Sequence, residues 1–159
     1  MGKKFEPSLL LQRPLMANLA TVTGDNSPRN APMWFIWESN KLWLLSSINS
    51  SSLNRLKINP SCAVEIVDFN PDEGILLHLG LRGSATITSM DADRFERLLA
   101  KYLGKKPNWN KWFITNIARI DDPEGRMICL EPESIFSNNV SYFKTGPELA
   151  WPIDDQINT

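Results

Sequence analysis

The sequence predicts an α+β, mainly β fold: a small barrel of about six antiparallel strands with flanking helices. Three observations carry this. Short runs rich in Val, Ile, Leu, Thr and aromatic residues recur along the chain. Gly, Pro, Asn, Asp and Ser clusters separate them. One segment, 91–103, has helical periodicity, with Phe95, Leu98, Leu99, Tyr102 and Leu103 on one face.

Residues 8–13 have room for one helical turn, 15–23 read as a strand, and Gly24–Pro28 is a turn by composition. Residues 29–38 and 41–47 read as strands joined through Ser39-Asn40, a hairpin signal. Leu53 and Leu56 mark a short helix stopped by Asn59-Pro60. Strands are expected at 61–68 and 75–88, with Phe69–Gly74 as the loop between them. Asp91 or Ser89 can cap the 91–103 helix, and Gly104 suits its end. A second, shorter helix is expected at 109–118, a turn at Asp121–Gly125, closing strands at 126–131 and 133–138, and an irregular tail over about 146–159.

The totals set the outer limits. A chain of 159 residues suits one domain with a real core. A net charge of −1 offers no basic field for nucleic acid or an anionic membrane. No apolar run has membrane-spanning length. The start, broken by Pro7 and Pro14, does not read as a signal peptide. Cys62 and Cys129 lie in apolar strand patterns, read as buried free thiols, and fit a cytoplasmic location. One His and two separated Cys cannot build a structural zinc site in one chain.

The run from Arg29 to Pro60 holds most of the functional signal. Side-chain alternation puts Trp34 and Ile36 on one face, and Met33, Phe35 and Trp37 on the other. Only one set can enter the barrel, so cofactor, helix or second subunit must cover the other, which argues for an oligomer. The following helix opens with hydroxyls at Ser50, Ser51 and Ser52. Its first N–H groups lack helical partners, and the helix dipole favours negative charge there. That arrangement suits a phosphorylated cofactor; the alternative is ordinary N-capping by Ser. The sole histidine, His78, is either a strand residue satisfied locally or a group that touches a cofactor. Trp109, Trp112, Phe113, Tyr142, Phe143 and Trp151 either stack on a flat ligand or fill a core or seam.

Taken in order, Pro28–Phe35, Lys41–Ser47, Ser50–Ser52, Leu56, Asn59-Pro60, Arg82-Gly83-Ser84-Ala85 and Arg126–Ser137 resemble the pyridoxamine 5'-phosphate oxidase-like family over roughly residues 8–143. The resemblance implies an FMN-binding split β-barrel, with flavin at a homodimer interface. It implies that Met33, Trp34 and Phe35, with Ser46 and Ser47 opposite, line the isoalloxazine, largely through backbone groups. It places the phosphate at Ser50–Ser52. The family usually has Lys at the position of Ser52 and often Arg at Ser51, so Arg55, Lys57 and Arg29 are the cations left to supply charge. His78, five residues before Gly83, falls where the family has a polar residue against the flavin ring; haem ligation, known in some relatives, is a further alternative.

The expected activity is therefore that of an FMN-dependent oxidoreductase with a small, planar substrate stacked near Trp34. The tail Gly146–Thr159 has neither Arg nor His, whereas the authentic oxidases carry an Arg-x-His pair there for the substrate phosphate. Two other readings stay open: a deazaflavin-dependent reductase, and a non-catalytic or stress-related barrel with weak or no flavin.

Overall fold

The computed structural model describes residues 4–106, 109, 111 and 123–141. Its elements run α1 (Ser8–Leu11), β1 (Ala17–Val22), β2 (Pro28–Met33), β3 (Phe35–Glu38), β4 (Lys41–Ser47), α2 (Ser51–Ile58), β5 (Ser61–Asn70), β6 (Ile75–Ser89), α3 (Ala92–Leu103) and β7 (Gly125–Asn139). The expected second helix at 109–118, apart from Trp109 and Lys111, and the tail from 146 lie outside the described residues.

The seven strands form one antiparallel sheet in the order β2-β1-β5-β6-β7-β4-β3. The two end strands, β2 and β3, are consecutive in the chain, with Trp34 between them. The sheet therefore curls until its ends meet at one residue. The chain itself closes the barrel where a hydrogen-bond ladder otherwise would. This is the split barrel that the sequence led one to expect.

The structure differs from the sequence reading in three places. β5 runs on through Phe69 and Asn70, expected as loop, because both pair with β6. The single strand expected at 29–38 is two, because Trp34 passes from the β1 ladder to the β4 ladder; its carbonyl accepts from the Leu45 N–H at 3.3 Å. The two closing strands are one, with Pro132 inside it. Pro132 survives because the β4 ladder ends at Leu130, and because a bulge opposite Gly83 skips a ladder position, with Arg82 facing Ser134 and Gly83 facing Pro132. Gly83 is needed there, since a Cβ would lie 2.2 Å from the Glu131 carbonyl oxygen. The Ser39-Asn40 turn is as expected, both residues having φ near +55 (53 and 58), as a two-residue hairpin of the primed type requires.

The inner face buries Ala17, Leu19, Phe35, Leu42, Leu44, Val64, Ile66, Leu79, Leu81, Ile128 and Leu130. α2 adds Leu56 to this core. The outer apolar set, Trp34, Ile36 and Leu45, packs under α3 against Leu98, Leu99 and Trp109. A helix of the same chain thus covers the double-sided strand, and that feature needs no second subunit. Side chains hold α3 at both ends of β3. Arg94 and Arg97 bind Glu38, and Arg94 stacks on Trp43 at 3.6 Å. The Arg97 hydrogen bond, with help from Arg94, holds the Glu38 carboxyl below its ordinary range. Asp91 caps the helix by accepting from the Arg94 N–H at 2.8 Å, and Gly104 ends it at φ 76. Among the described residues, no helix is long and apolar enough to cross a membrane.

Candidate functional site

Three elements meet at one end of the barrel. Near the end of β1, Thr21 puts a hydroxyl on the face that otherwise buries Ala17 and Leu19, and it is 3 % exposed. Its cross-strand partner on β2 is Arg29, so both side chains stand on one face. Arg55, one turn into α2, donates from Nε to Thr21 Oγ1 at 2.8 Å and from Nη2 to Ser52 Oγ at 3.1 Å. Buried polar groups need partners; here Thr21, Ser52 and Arg55 supply one another. The result is a guanidinium held at the start of α2. Arg29 is exposed and donates to the Pro28 carbonyl at 2.8 Å.

Ser50 is the N-cap residue with an extended backbone, yet its side chain makes no capping hydrogen bond. Ser51 is exposed on the first turn, and Ser52 is buried with its hydroxyl engaged by Arg55. The capping role that Ser normally performs is thus not performed by this side chain, and the first N–H groups of α2 have no intrahelical acceptor.

Beside this helix start, among the described residues, no ladder joins β2 to the end of β4, which leaves a slot in the strand pairing. Among the described residues, β2 is paired on one side, by β1, and Ser46 and Ser47 are paired with Arg126 and Gly125 of β7. These two backbone edges flank the Trp34–Leu45 contact. Ser46 alternates with Leu42 and Leu44, so it faces the interior. Its Oγ is buried without a hydrogen-bond partner among the described residues. Leaving such a group unpaired costs about 1–3 kcal/mol, so a ligand's polar edge in the slot would find an acceptor or donor waiting. Ser47 is half-buried, and its carbonyl accepts from the Ser50 N–H at 3.0 Å.

The remaining sequence-predicted residues divide. Met33 packs partly buried against the core beside the slot. Trp34 sits at the slot's apex, with one ring face stacked on Tyr102 at 4.4 Å and 6°. Phe35 is fully buried, and its backbone N–H donates to Tyr102 Oη at 3.0 Å. The structure does not bring His78 to the slot. It stands on the outer face of β6, 3.0 Å from the Glu65 carboxylate and edge-on to Phe136. Three strand spacings separate it from β2, about 14 Å. There it borders a shallow depression of about 280 Å³ floored by Ala20, Ala63 and Gly80. Trp109 is buried against Leu98 and Leu99 and donates from Nε1 to the Gly104 carbonyl at 2.8 Å, a packing role. Trp112, Phe113, Tyr142, Phe143 and Trp151 lie outside the described residues.

Sequence reasoning missed Thr21, Lys101 and Tyr102. Thr21 had a signal: a polar residue at an inward position of an alternating strand. The two α3 residues had none, because their partners are backbone groups of α1, β3 and the segment after α1.

The relatives share this architecture. An F420 reductase is 26% identical with a TM-score of 0.62, over 82% of this chain and 97% of that one. General Stress Protein 26 from Bacillus anthracis is 21% identical with a TM-score of 0.61, over 82% and 89%. An FAD-binding protein from Mesorhizobium loti is 12% identical with a TM-score of 0.63, over 87% and 96%. None of the curated proteins matches the sequence. The family described as pyridoxamine 5'-phosphate oxidase matches residues 8–139, a span that takes in the whole barrel from α1 to the end of β7, with its slot and its helix start. By that match, the chain belongs to the pyridoxamine 5'-phosphate oxidase family.

Proposed function

We propose that the slot holds a flavin, FMN, and that the protein is a flavin-dependent oxidoreductase acting on a small planar substrate. The observation that carries the reading is the slot itself. Among the described residues it has unpaired backbone edges on β2 and at Ser46–Ser47, a buried Ser46 hydroxyl without a partner, and a helix start whose N-cap side chain does not cap, with Arg55 bonded to Ser52. These features fit the cofactor. The β2 edge from Ala31 to Met33, with Ser46 and Ser47, would hold the ring. The first N–H groups of α2, with Arg55 and Arg29, would hold the phosphate. A bound flavin supplies the hydride and electron exchange. The chain's own groups bind and orient it, and α3 keeps water from the Trp34 side of the slot.

The active form in this reading is a homodimer. His78 reaches a flavin only across a subunit boundary, since in its own chain it lies strands away and on the opposite face. The shallow outer face lined by Ala20, Ala63, His78 and Arg82, with Phe136 half-exposed over Gly80, is the seat for a second copy in this reading. A deazaflavin in the same slot is the second reading, favoured by the likeness to the F420 reductase.

The test is the visible absorption of freshly purified protein, followed by titration with FMN and with F420. Flavin absorbance, or saturable FMN binding at micromolar Kd or below (about −8 kcal/mol), supports the reading. Arg55→Ala is then expected to weaken FMN binding about 10–100-fold, the worth of a charge-assisted hydrogen bond. F420 binding without FMN binding selects the second reading, and colourless protein that ignores both sinks the two together.

A further inference from the structure

The closing point of the barrel is held by two consecutive side chains of α3. Lys101 Nζ donates to the carbonyls of Leu11 and Phe35, each at 3.1 Å, and lies 3.3 Å from the centroid of the Phe35 ring. Tyr102 Oη donates to the Leu15 carbonyl at 2.7 Å and accepts from the Phe35 N–H at 3.0 Å. The Tyr102 ring stacks on Trp34. These contacts occupy both backbone groups of Phe35, the first residue of edge strand β3, together with the end of α1 and the segment after it. Edge strands need cover of this kind. Here, however, the covered residue adjoins Trp34, the residue from which the two free edges of the slot diverge. Turning the chain at Trp34 changes the angle between β2 and β4, and so the width of the slot.

We propose that Lys101 and Tyr102 are positioning residues for the slot: by clamping both backbone groups of Phe35 and one face of Trp34, they set the angle at which β2 and β4 part and so the fit of whatever the slot binds. The flavin part of this inference rests on the reading proposed above; the hinge part does not. The cation enters because its Nζ joins α1, β3 and an aromatic face at once, which a neutral apolar side chain of the same length cannot do. Neither residue touches the slot contents in this arrangement, so their effect on binding passes through Trp34 and Phe35.

The experiment uses the full chain and three variants. Tyr102→Phe removes both Oη hydrogen bonds and keeps the stack on Trp34. Lys101→Met removes the ammonium and keeps the stem. Lys101→Arg returns a cation with several donors. Amide hydrogen exchange on the protein without added flavin reads the hinge directly. The Phe35 and Leu45 amides are expected to exchange about tenfold faster in Tyr102→Phe and Lys101→Met, from the loss of roughly one hydrogen bond. Amides of the distant β5–β6 ladder should be unchanged, and Lys101→Arg should recover part of the protection. FMN titration then reads the slot: Kd is expected to rise about tenfold in the two hinge variants and to recover in part in Lys101→Arg. Unchanged exchange at Phe35 and Leu45 overturns the hinge. Faster exchange there with unchanged FMN affinity overturns the link from hinge to slot. A wild-type chain that ignores FMN overturns the flavin reading and the binding half of this inference with it, while the exchange data still decide the hinge.

Discussion

Lys101 illustrates how one residue carries a pH dependence. Burial pushes its amine down from 10.5 to about 7. From α1 and β3 it meets only carbonyls and the Phe35 ring. Its titratable neighbour is Tyr102, and Glu38, the carboxylate of β3, is already engaged by Arg94 and Arg97. A lysine with a lowered folded pKa binds fewer protons in the fold than in the unfolded chain between the two values. Below about pH 7 the side chain is charged in both states, and the cost of burying it is carried in full. As pH rises from about 7 towards 10.5, the folded amine is neutral while the unfolded one stays charged, so the fold gains stability. The neutral amine keeps two N–H donors, enough for the Leu11 and Phe35 carbonyls. Denaturant unfolding of wild type and Lys101→Met across this range is expected to show the wild type gaining on the variant as pH rises; parallel curves would contradict it. Two glycines give a second contrast at this scale. A Cβ at Gly83 would meet a backbone oxygen at 2.2 Å, whereas at Gly80 it would meet the half-exposed Phe136 ring at 2.0 Å, which can swing away. Gly83→Ala should therefore cost about 2–3 kcal/mol and Gly80→Ala about 1, as read from urea midpoints at constant slope.

Among the elements, α3 shows how a helix is both formed and placed. Its formation is local: Asp91 caps it, Gly104 ends it, and an apolar stripe gives it a face to bury. Asp91→Ala is expected to cost about 1 kcal/mol, the usual worth of an N-cap, with no change in slot contacts; a change above about 2 kcal/mol would show that Asp91 does more than cap. Its placement is not local. Glu38 at one end of β3 and the Phe35 backbone at the other receive four α3 side chains, Arg94, Arg97, Lys101 and Tyr102. α2 behaves differently. Its Ser-rich start looked like a capped helix or an anion site, and the two readings could not be separated by sequence because the same residue types serve both. In the structure the Ser50 hydroxyl makes no capping hydrogen bond, and the Ser52 hydroxyl turns inward to Arg55.

At the scale of the whole molecule, β2 and β3 are adjacent in the chain and sit at opposite ends of the sheet. Among the described residues, that arrangement leaves the β2 and β4 edges unpaired, and beside them the buried Ser46 hydroxyl lacks a partner. It also sets β6, which carries His78, three strand spacings from β2 and two from β4, so in the reading proposed above His78 contributes only from a second copy. Sedimentation at micromolar concentration is expected to give twice the 18.1 kDa chain mass, and His78→Ala is expected to weaken FMN binding. A monomer that binds FMN fully would remove the second copy from the reading.

Several features were decided by the sequence alone, and each has a short-range cause. The Ser39-Asn40 hairpin follows from residues that tolerate positive φ, the ends of α3 from Asp91 and Gly104, and the end of α2 from Asn59-Pro60. The barrel class and the family were legible in the order of strands and motifs, because alternation and turn chemistry act over a few residues at a time. What only the tertiary structure decided involves partners far apart in the chain. Arg55 bonds to Thr21, 34 residues away, and Lys101 and Tyr102 reach Phe35 from 66 and 67 residues away. The break at Trp34, the continuity of β7 through Pro132 and the exile of His78 from the slot have the same origin. Each depends on which ladder lies beside a residue, and a single strand's pattern of side chains records which face it buries but not which strand is its neighbour.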